Sequence, residues 1–249
     1  MHYRRIRRGI GLVAALYGSM LLVFFAVGCG GGEKATFKDI DEVWARVKEA
    51  DQEIKSLHME NSIYYMNTAY GSGPVEGIII DYNGTDFHEK RLLFDKVVYY
   101  ELVRVGDKIY EKDVSKGTCI ESQATPAGDK AGEYISTFLE LPSVADSSEH
   151  RGTEMIGGRR TEHYFLTLSP QDIMDLFAGQ LLGGQQSYDY SENTGGSWDV
   201  WIDSENYYLI RCEINIRNVF IPEKIGKGDI RCVLNISRIN EPIIITPPI

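Results

Sequence analysis

Positive charge is scarce in this chain. Lys and Arg number 26 against 36 Asp and Glu, a formal charge of −10. No basic footprint for nucleic acid is present, and such a surface is repelled by phosphate backbones and anionic head groups alike. Catalytic signatures are just as thin. Gly71-Ser72-Gly73 lacks the spacing of a nucleophile elbow, so Ser72 reads as a turn serine. His88-Glu89 opens a zinc-type helix motif that Leu92 fails to complete. His58, His88, His150 and His163 are scattered, with no Cys or carboxylate spacing for a metal shell. Asp189, Ser191 and Asn193 mimic the start of a calcium loop, yet Val200 stands where its bidentate Glu belongs. Gly226-Lys227 has neither the upstream glycine nor the following Ser or Thr of a phosphate loop. Asp199 and Asp203 flank Trp201 on one strand face, where a solvated face explains them better than a carboxylate pair. The expectation is a non-enzymatic protein with no cofactor and no metal.

Cysteine is also rare, with four in the chain, and the first stands in a special place. Arg4, Arg5, Arg7 and Arg8 precede an uncharged apolar run from Ile10 to Val27, then Ala26-Val27-Gly28 leads to Cys29 and Gly30-Gly31-Gly32. Basic, apolar, then small residues is the layout of a secretory signal. A Cys directly after the small residues resembles a bacterial lipobox, in which that Cys is acylated and becomes the new N-terminus. Ala26 occupies the position where the lipobox pattern prefers Leu. An uncleaved anchor is the alternative, since the run is long enough to cross a bilayer, but it leaves Cys29 and the glycines unexplained. Either way the arginines stay cytoplasmic and the rest is exported.

The expected organisation is therefore a signal at 1–28, a lipidated Cys29 with a flexible tether over 29–36, and a single domain over 37–249. Loss of the four leader arginines takes the formal charge from −10 to −14. Attachment to the membrane must then come from acyl chains at about 0.8 kcal/mol per buried methylene, with more than one chain needed for a stable anchor. The expected location is the outer face of a bacterial cytoplasmic membrane, or the outer membrane.

Periodicity supplies the domain. Phe37, Ile40, Val43, Trp44, Val47, Ala50, Ile54 and Leu57 recur at three-and-four spacing and predict an amphipathic helix over 37–57. Strand patterns then repeat: 58–67, 75–82, 96–105, 108–113, 117–122, 151–156, 159–168, 198–203, 207–217 and 229–240. Asn83-Gly84, Gly106-Asp107 and Gly157-Gly158 mark hairpin turns. Helices are expected at 132–141 and, capped by Ser169 and Pro170, at 170–182. A glycine-flanked polar stretch over 183–197 reads equally as a binding loop or a surface excursion. Alternation along 207–217 and 229–240 calls for antiparallel strands with one buried face. Placing Cys212 directly opposite Cys232 also opposes Ile214 with Ile230 and Ile210 with Leu234, so a disulfide is expected there. Two buried thiols in neighbouring rows are the alternative.

Three stretches carry a resemblance: VWARVKEADQEIKSLHMENSIYY, RGTEMIGGRRTEHYFLTLS and WDVWIDSENYYLIRCEINI. A glycine-turned strand pair ending in His163-Tyr164, and Val200-Trp201-Ile202-Asp203 leading into a hairpin, resemble the LolA/LppX/LprG group of lipid-handling lipoproteins over about residues 37–240. The resemblance implies an α+β fold: a strongly curved, unclosed antiparallel half-barrel with helices packed over its concave face. It implies a non-enzymatic protein that binds or carries a lipid or acyl chain in an apolar cavity. The alternative is an envelope sensor or protein-interaction module on the same scaffold. Ile78, Ile80, Tyr164, Leu166, Ile214 and Leu234 are the expected cavity lining, with Met174 and Phe177 on a helix that covers it.

Overall fold

Alternation of apolar and polar side chains sets the architecture. In the computed structural model, which describes residues 39–123, 145–169, 194–221 and 225–248, eleven strands form one sheet. They are β1 (Ser56–Thr68), β2 (Gly71–Asn83), β3 (Asp86–Leu93), β4 (Val97–Val105), β5 (Lys108–Asp113) and β6 (Thr118–Gln123), then β7 (Ser147–Ile156), β8 (Arg159–Leu168), β9 (Gly195–Asp203), β10 (Leu209–Ile221) and β11 (Gly226–Ser237). Their order is β6-β5-β4-β3-β2-β1-β11-β10-β9-β8-β7, every neighbouring pair is antiparallel, and β6 and β7 are the open edges. Two meanders thus join at the centre, where β1 pairs with β11. Bulges interrupt the β1–β2, β3–β4, β7–β8, β9–β10 and β10–β11 registers, and each bends its strand and adds twist. The sheet fits a curved half-barrel that does not close.

Antiparallel running gives the sheet two ends. At the upper end lie the connections after β1, β3, β5 and β10; at the lower end lie those after β2, β4, β8's partner β7, and β9. Lower turns follow the sequence signals. Gly157 and Gly158, both at positive φ, link β7 to β8, as a two-residue hairpin requires. The C-terminal tail folds back at this end: Asn240 Oδ1 accepts from the Lys55 amide at 2.7 Å, and Asn83 Nδ2 donates to the Ile243 carbonyl at 2.8 Å.

A single helix, α1 (Ile40–Asp51), stands among the described residues. It is shorter than the periodicity suggests, because Leu57 already belongs to β1 and is buried as a strand residue. The helices expected at 132–141 and 170–182, and most of the loop at 183–197, lie outside the described residues. None of the described helices is long and apolar enough to cross a membrane. Strand β3 has no counterpart among the strand patterns: its His88-Glu89-Lys90-Arg91 core reads as a solvated charge run, yet it pairs on both sides.

The expected disulfide does not form. Cys212 stands opposite Leu234, and Ile214 opposite Cys232, two residues away from direct pairing. A two-residue slip keeps every side chain on its own face, so hydrophobicity alone cannot fix it. The bulge between Ile216 and Val219 offsets the pairing along this hairpin. Both thiols are free and buried. The Trp198 indole N–H donates to Cys212 Sγ at 2.6 Å, and Cys232 Sγ donates to Asn61 Oδ1 at 3.0 Å. Burial pushes the Cys212 thiol well up and the Cys232 thiol to about 12. The thiolate is the reactive form. In the native protein a maleimide at neutral pH should therefore label Cys119, which is exposed, and leave Cys212 and Cys232 untouched. Denaturation without reductant should expose both; a missing pair of thiols there would restore the bridge.

Candidate functional site

One face of the sheet is apolar over its central strands. Ile78 and Ile80 on β2, Tyr164 and Leu166 on β8, Ile214 on β10 and Leu234 on β11 all join one buried cluster. Their relative exposure runs from 0% to 9%. The structure thus brings together the six sheet residues expected to line a cavity. It brings them together as closely packed core, with Met59 and Ile63 of β1 and Val200 of β9 among them. Met174 and Phe177 lie outside the described residues.

Helix α1 covers part of this face through Val43, Trp44 and Val47. Asp39 is its N-cap, and Asp41 and Glu42 in the first turn suit the positive end of the helix dipole. The Trp44 ring meets Trp198 of β9 edge-on, with centroids 5.6 Å apart, an arrangement that adds to the area buried. Arg46 reaches the Tyr207 hydroxyl at 2.9 Å. The contact fixes how the helix lies on β9 and the loop below it.

An open pocket of about 580 Å³ lies at the upper end. Tyr65, Val75 and Ile225 form its floor, and the β1–β2 tip from Thr68 to Pro74, with Phe94 and Lys96, forms its rim. Tyr65, Val75 and Ile225 also pack directly against the buried cluster. The pocket is therefore continuous with the apolar face, although its lining is not the expected one. The signal for Tyr65 was available: it shares the parity of Met59 and Ile63.

Towards β6 the same face turns polar. Along one row Met59, Ile80, Glu89, Leu102, Glu111 and Ile120 stand side by side. Glu89 is 1% exposed and accepts from Arg91 Nε at 2.7 Å. The Arg91 guanidinium lies 5.5 Å from the Tyr100 ring centre. Burial, reinforced by Glu111 and Glu89, pushes the Tyr100 hydroxyl up to about 12.

The opposite face is a charged ladder. His163 is held between Asp199 Oδ1 and Glu154 Oε1, both at 2.8 Å, and its ring stacks on Trp201 at 4.4 Å. Arg231 donates Nε and Nη2 to the two oxygens of Glu213 at 2.8 and 2.9 Å. Burial opposes the Glu213 charge, but Arg231 outweighs it and holds the carboxyl below its ordinary range. Asp203 is not a solvated strand residue. Buried to 4%, it accepts from the Glu205 and Asn206 amides and from Arg159 at 2.8 Å, so it shapes the β9–β10 turn. Among the described residues no cluster of His, Cys, Asp and Glu is arranged to hold a metal.

No family model matches the chain, and no curated protein matches it. Solved structures do. The chain is similar to lipoprotein LppX of Mycobacterium tuberculosis at 16% identity and a TM-score of 0.48, over 84% of this chain and 100% of that one. It is similar to LprF of Mycobacterium bovis at 14% identity and a TM-score of 0.44, over 83% and 95%. A LolA-superfamily protein of Nitrosomonas europaea matches at 9% identity and a TM-score of 0.29, over 84% and 96%.

The outward face also carries a pH response. Burial opposes protonation of His58, but hydrogen bonds to Asp81 at 2.8 Å and Glu60 at 3.1 Å win and raise its pKa above 6.5. Stabilisation from this group is full below the unfolded value of about 6.5 and is lost as pH rises through the folded value. His58→Gln should thus cost stability at pH 5.5 and progressively less above neutrality, measured by urea unfolding across pH. A constant cost would assign the effect to packing.

Proposed function

We propose that this chain is an exported bacterial lipoprotein, anchored through acylated Cys29, whose domain binds a lipid or acyl chain without chemical turnover. The observation that carries the reading is the open upper pocket floored by Tyr65, Val75 and Ile225, continuous with the apolar sheet face. Its volume of about 580 Å³ falls within the range of about 300–1,000 Å³ usual for small-molecule sites. Burial of an acyl chain there would be driven by about 0.8 kcal/mol per methylene. The signal layout at 1–28 and the glycines after Cys29 support export and tethering.

A second reading, a sensor or protein-interaction module, has one observation in its favour. Ile78, Ile80, Tyr164, Leu166, Ile214 and Leu234 are sealed from solvent, which suits a scaffold whose core is closed. Mass spectrometry of lipids extracted with the purified protein separates the two, since a stoichiometric lipid supports the first. Position-specific variants add a finer test. Tyr65→Asp or Val75→Asp at the pocket floor should lower acyl-probe affinity at least tenfold with little change in unfolding temperature. Ile80→Asp, which introduces an unpaired charge into packed core, should instead cost several kcal/mol of stability. Loss of binding and stability together at Tyr65 and Val75 would make them ordinary core and remove the case for a lipid site.

A further inference from the structure

The two ends of the sheet differ at its central strands, while the upper β5–β6 turn, Ser115-Lys116-Gly117, is as polar as the lower turns. Lower turns hold Gly84-Thr85, Gly106-Asp107, Gly157-Gly158 and Ser204-Glu205-Asn206, the polar residues that turns favour. At the upper end the turns and the strand ends beside them carry Tyr70, Leu93, Phe94, Val97 and Phe220, exposed by between 43% and 78%. Strand register gathers them, since Thr68 pairs with Gly71, Leu93 with Val97, and Phe220 with Lys227 at that end. The other exposed large apolar residues are Ile120 on edge strand β6, Met155 on edge strand β7 and Ile244 in the C-terminal tail.

The β3–β4 turn shows that this is not an accident of stability. Phe94 and Asp95 are its central residues, at φ 56° and 53°, and the Lys96 amide closes it on the Leu93 carbonyl at 3.1 Å. Such a turn favours Asn-Gly, and a bulky residue at positive φ costs about 1–2 kcal/mol. The Phe94 ring is 59% exposed, so little burial offsets that cost. Asp95 Oδ1 is closed off from solvent with no hydrogen-bond partner. Strain held at an exposed aromatic points to a role outside the fold.

We infer that this upper rim docks into the head-group layer of a lipid bilayer, with Phe94, Tyr70 and Phe220 as the inserting side chains. The inference rests on the anchored, lipid-binding reading, and two features choose the bilayer over a protein partner. The ten residue steps from Cys29 to Asp39 span at most about 35 Å when extended. An anchored domain therefore stays beside the membrane. The pocket opens at the same rim, with Phe94 and Lys96 in its lining. A lipid would then pass from bilayer to pocket without crossing water. Aromatic residues suit the interface, and Lys96 can reach back to the head groups. With a chain of negative formal charge, apolar insertion drives the docking, so high salt should not release it.

Quenching by brominated acyl chains tests this on the mature lipidated protein in phosphatidylcholine vesicles. Native Trp44, Trp198 and Trp201 are all buried and give a steady background. Phe94→Trp should be quenched several-fold more than Ile244→Trp, whose position is 90% exposed but lies away from the rim, and high salt should not change the difference. Phe94→Asn should raise thermal stability, because Asn tolerates positive φ. Phe220→Ser with Val97→Ser, neither of them in the pocket lining, should slow lipid pickup from vesicles several-fold while binding of a soluble acyl probe is unchanged. Equal quenching at 94 and 244, or none at 94, overturns the docking and leaves a protein partner as the user of the rim. The protein's mass reports acylation of Cys29 separately, and the soluble-probe assay reports the pocket separately. Failure of the docking is thereby distinguishable from failure of the anchor or of the lipid site.

Discussion

Among the described residues, an open sheet of eleven strands has one apolar face to bury and no second sheet to bury it against. A closed barrel would solve this with its own interior, but β6 and β7 never meet. Bending the sheet and laying a helix on it is the solution seen here. Trp44 against Trp198 is the contact that seats α1, and Val43 and Val47 follow from helical spacing. Removal of that helix would leave the buried cluster exposed along β9 and β10. Continuity of apolar surface beyond the helix is what creates a pocket at the upper end, where the described chain supplies a floor and a rim but no lid.

The sequence was most legible where one face is buried and the other is wet. Along β10 and β11 the alternation Ile210, Cys212, Ile214, Ile216 and Ile230, Cys232, Leu234, Ile236 reads directly as buried positions. Six expected lining residues likewise converge in one cluster. Register was not legible, because a two-residue slip preserves every facing and the bulge between Ile216 and Val219 offsets the pairing. Strand β3 was hidden for a different reason. Glu89 lies on the buried face, where a pattern reader expects an apolar residue, and Arg91 two positions on satisfies it. The pocket floor at Tyr65 shares its parity with the core, so sequence alone did not separate a lining residue from a packed one.

The outward face explains how a strongly acidic chain stays ordered. Its carboxylates are not left to repel one another: Glu213 takes Arg231, Asp199 and Glu154 take His163, and Glu101 takes His88 at 2.9 Å. Surface pairs contribute about 0–1 kcal/mol each, and these are half-buried. Their greater effect is on pairing, since opposite charges on neighbouring strands favour one register over its slips. Trp201, stacked between His163 and Arg211, adds apolar area to that face and stiffens it.

Glu89 and Arg91 mark where the apolar face stops. A buried ion pair is weak support for stability, because desolvation consumes most of its attraction, so this pair is better understood by its position. Rows that are apolar from β11 to β2 become mixed from β3 outward, with Glu89, Glu111 and Asp113 on the side that is core elsewhere. Inward charge near a sheet edge discourages pairing with another chain, and Glu111 on β5 stands in the same row as Glu89. The main buried cluster ends at this boundary, and Phe87, Leu92, Leu102 and Val103 of β3 and β4 are buried outside it. An acyl chain entering at the upper pocket would therefore meet continuous apolar surface towards β1, β11 and β10, and a polar barrier towards β4. In the proposed lipid-binding reading, the direction in which a lipid would lie is set by where one carboxylate, Glu89, turns inward.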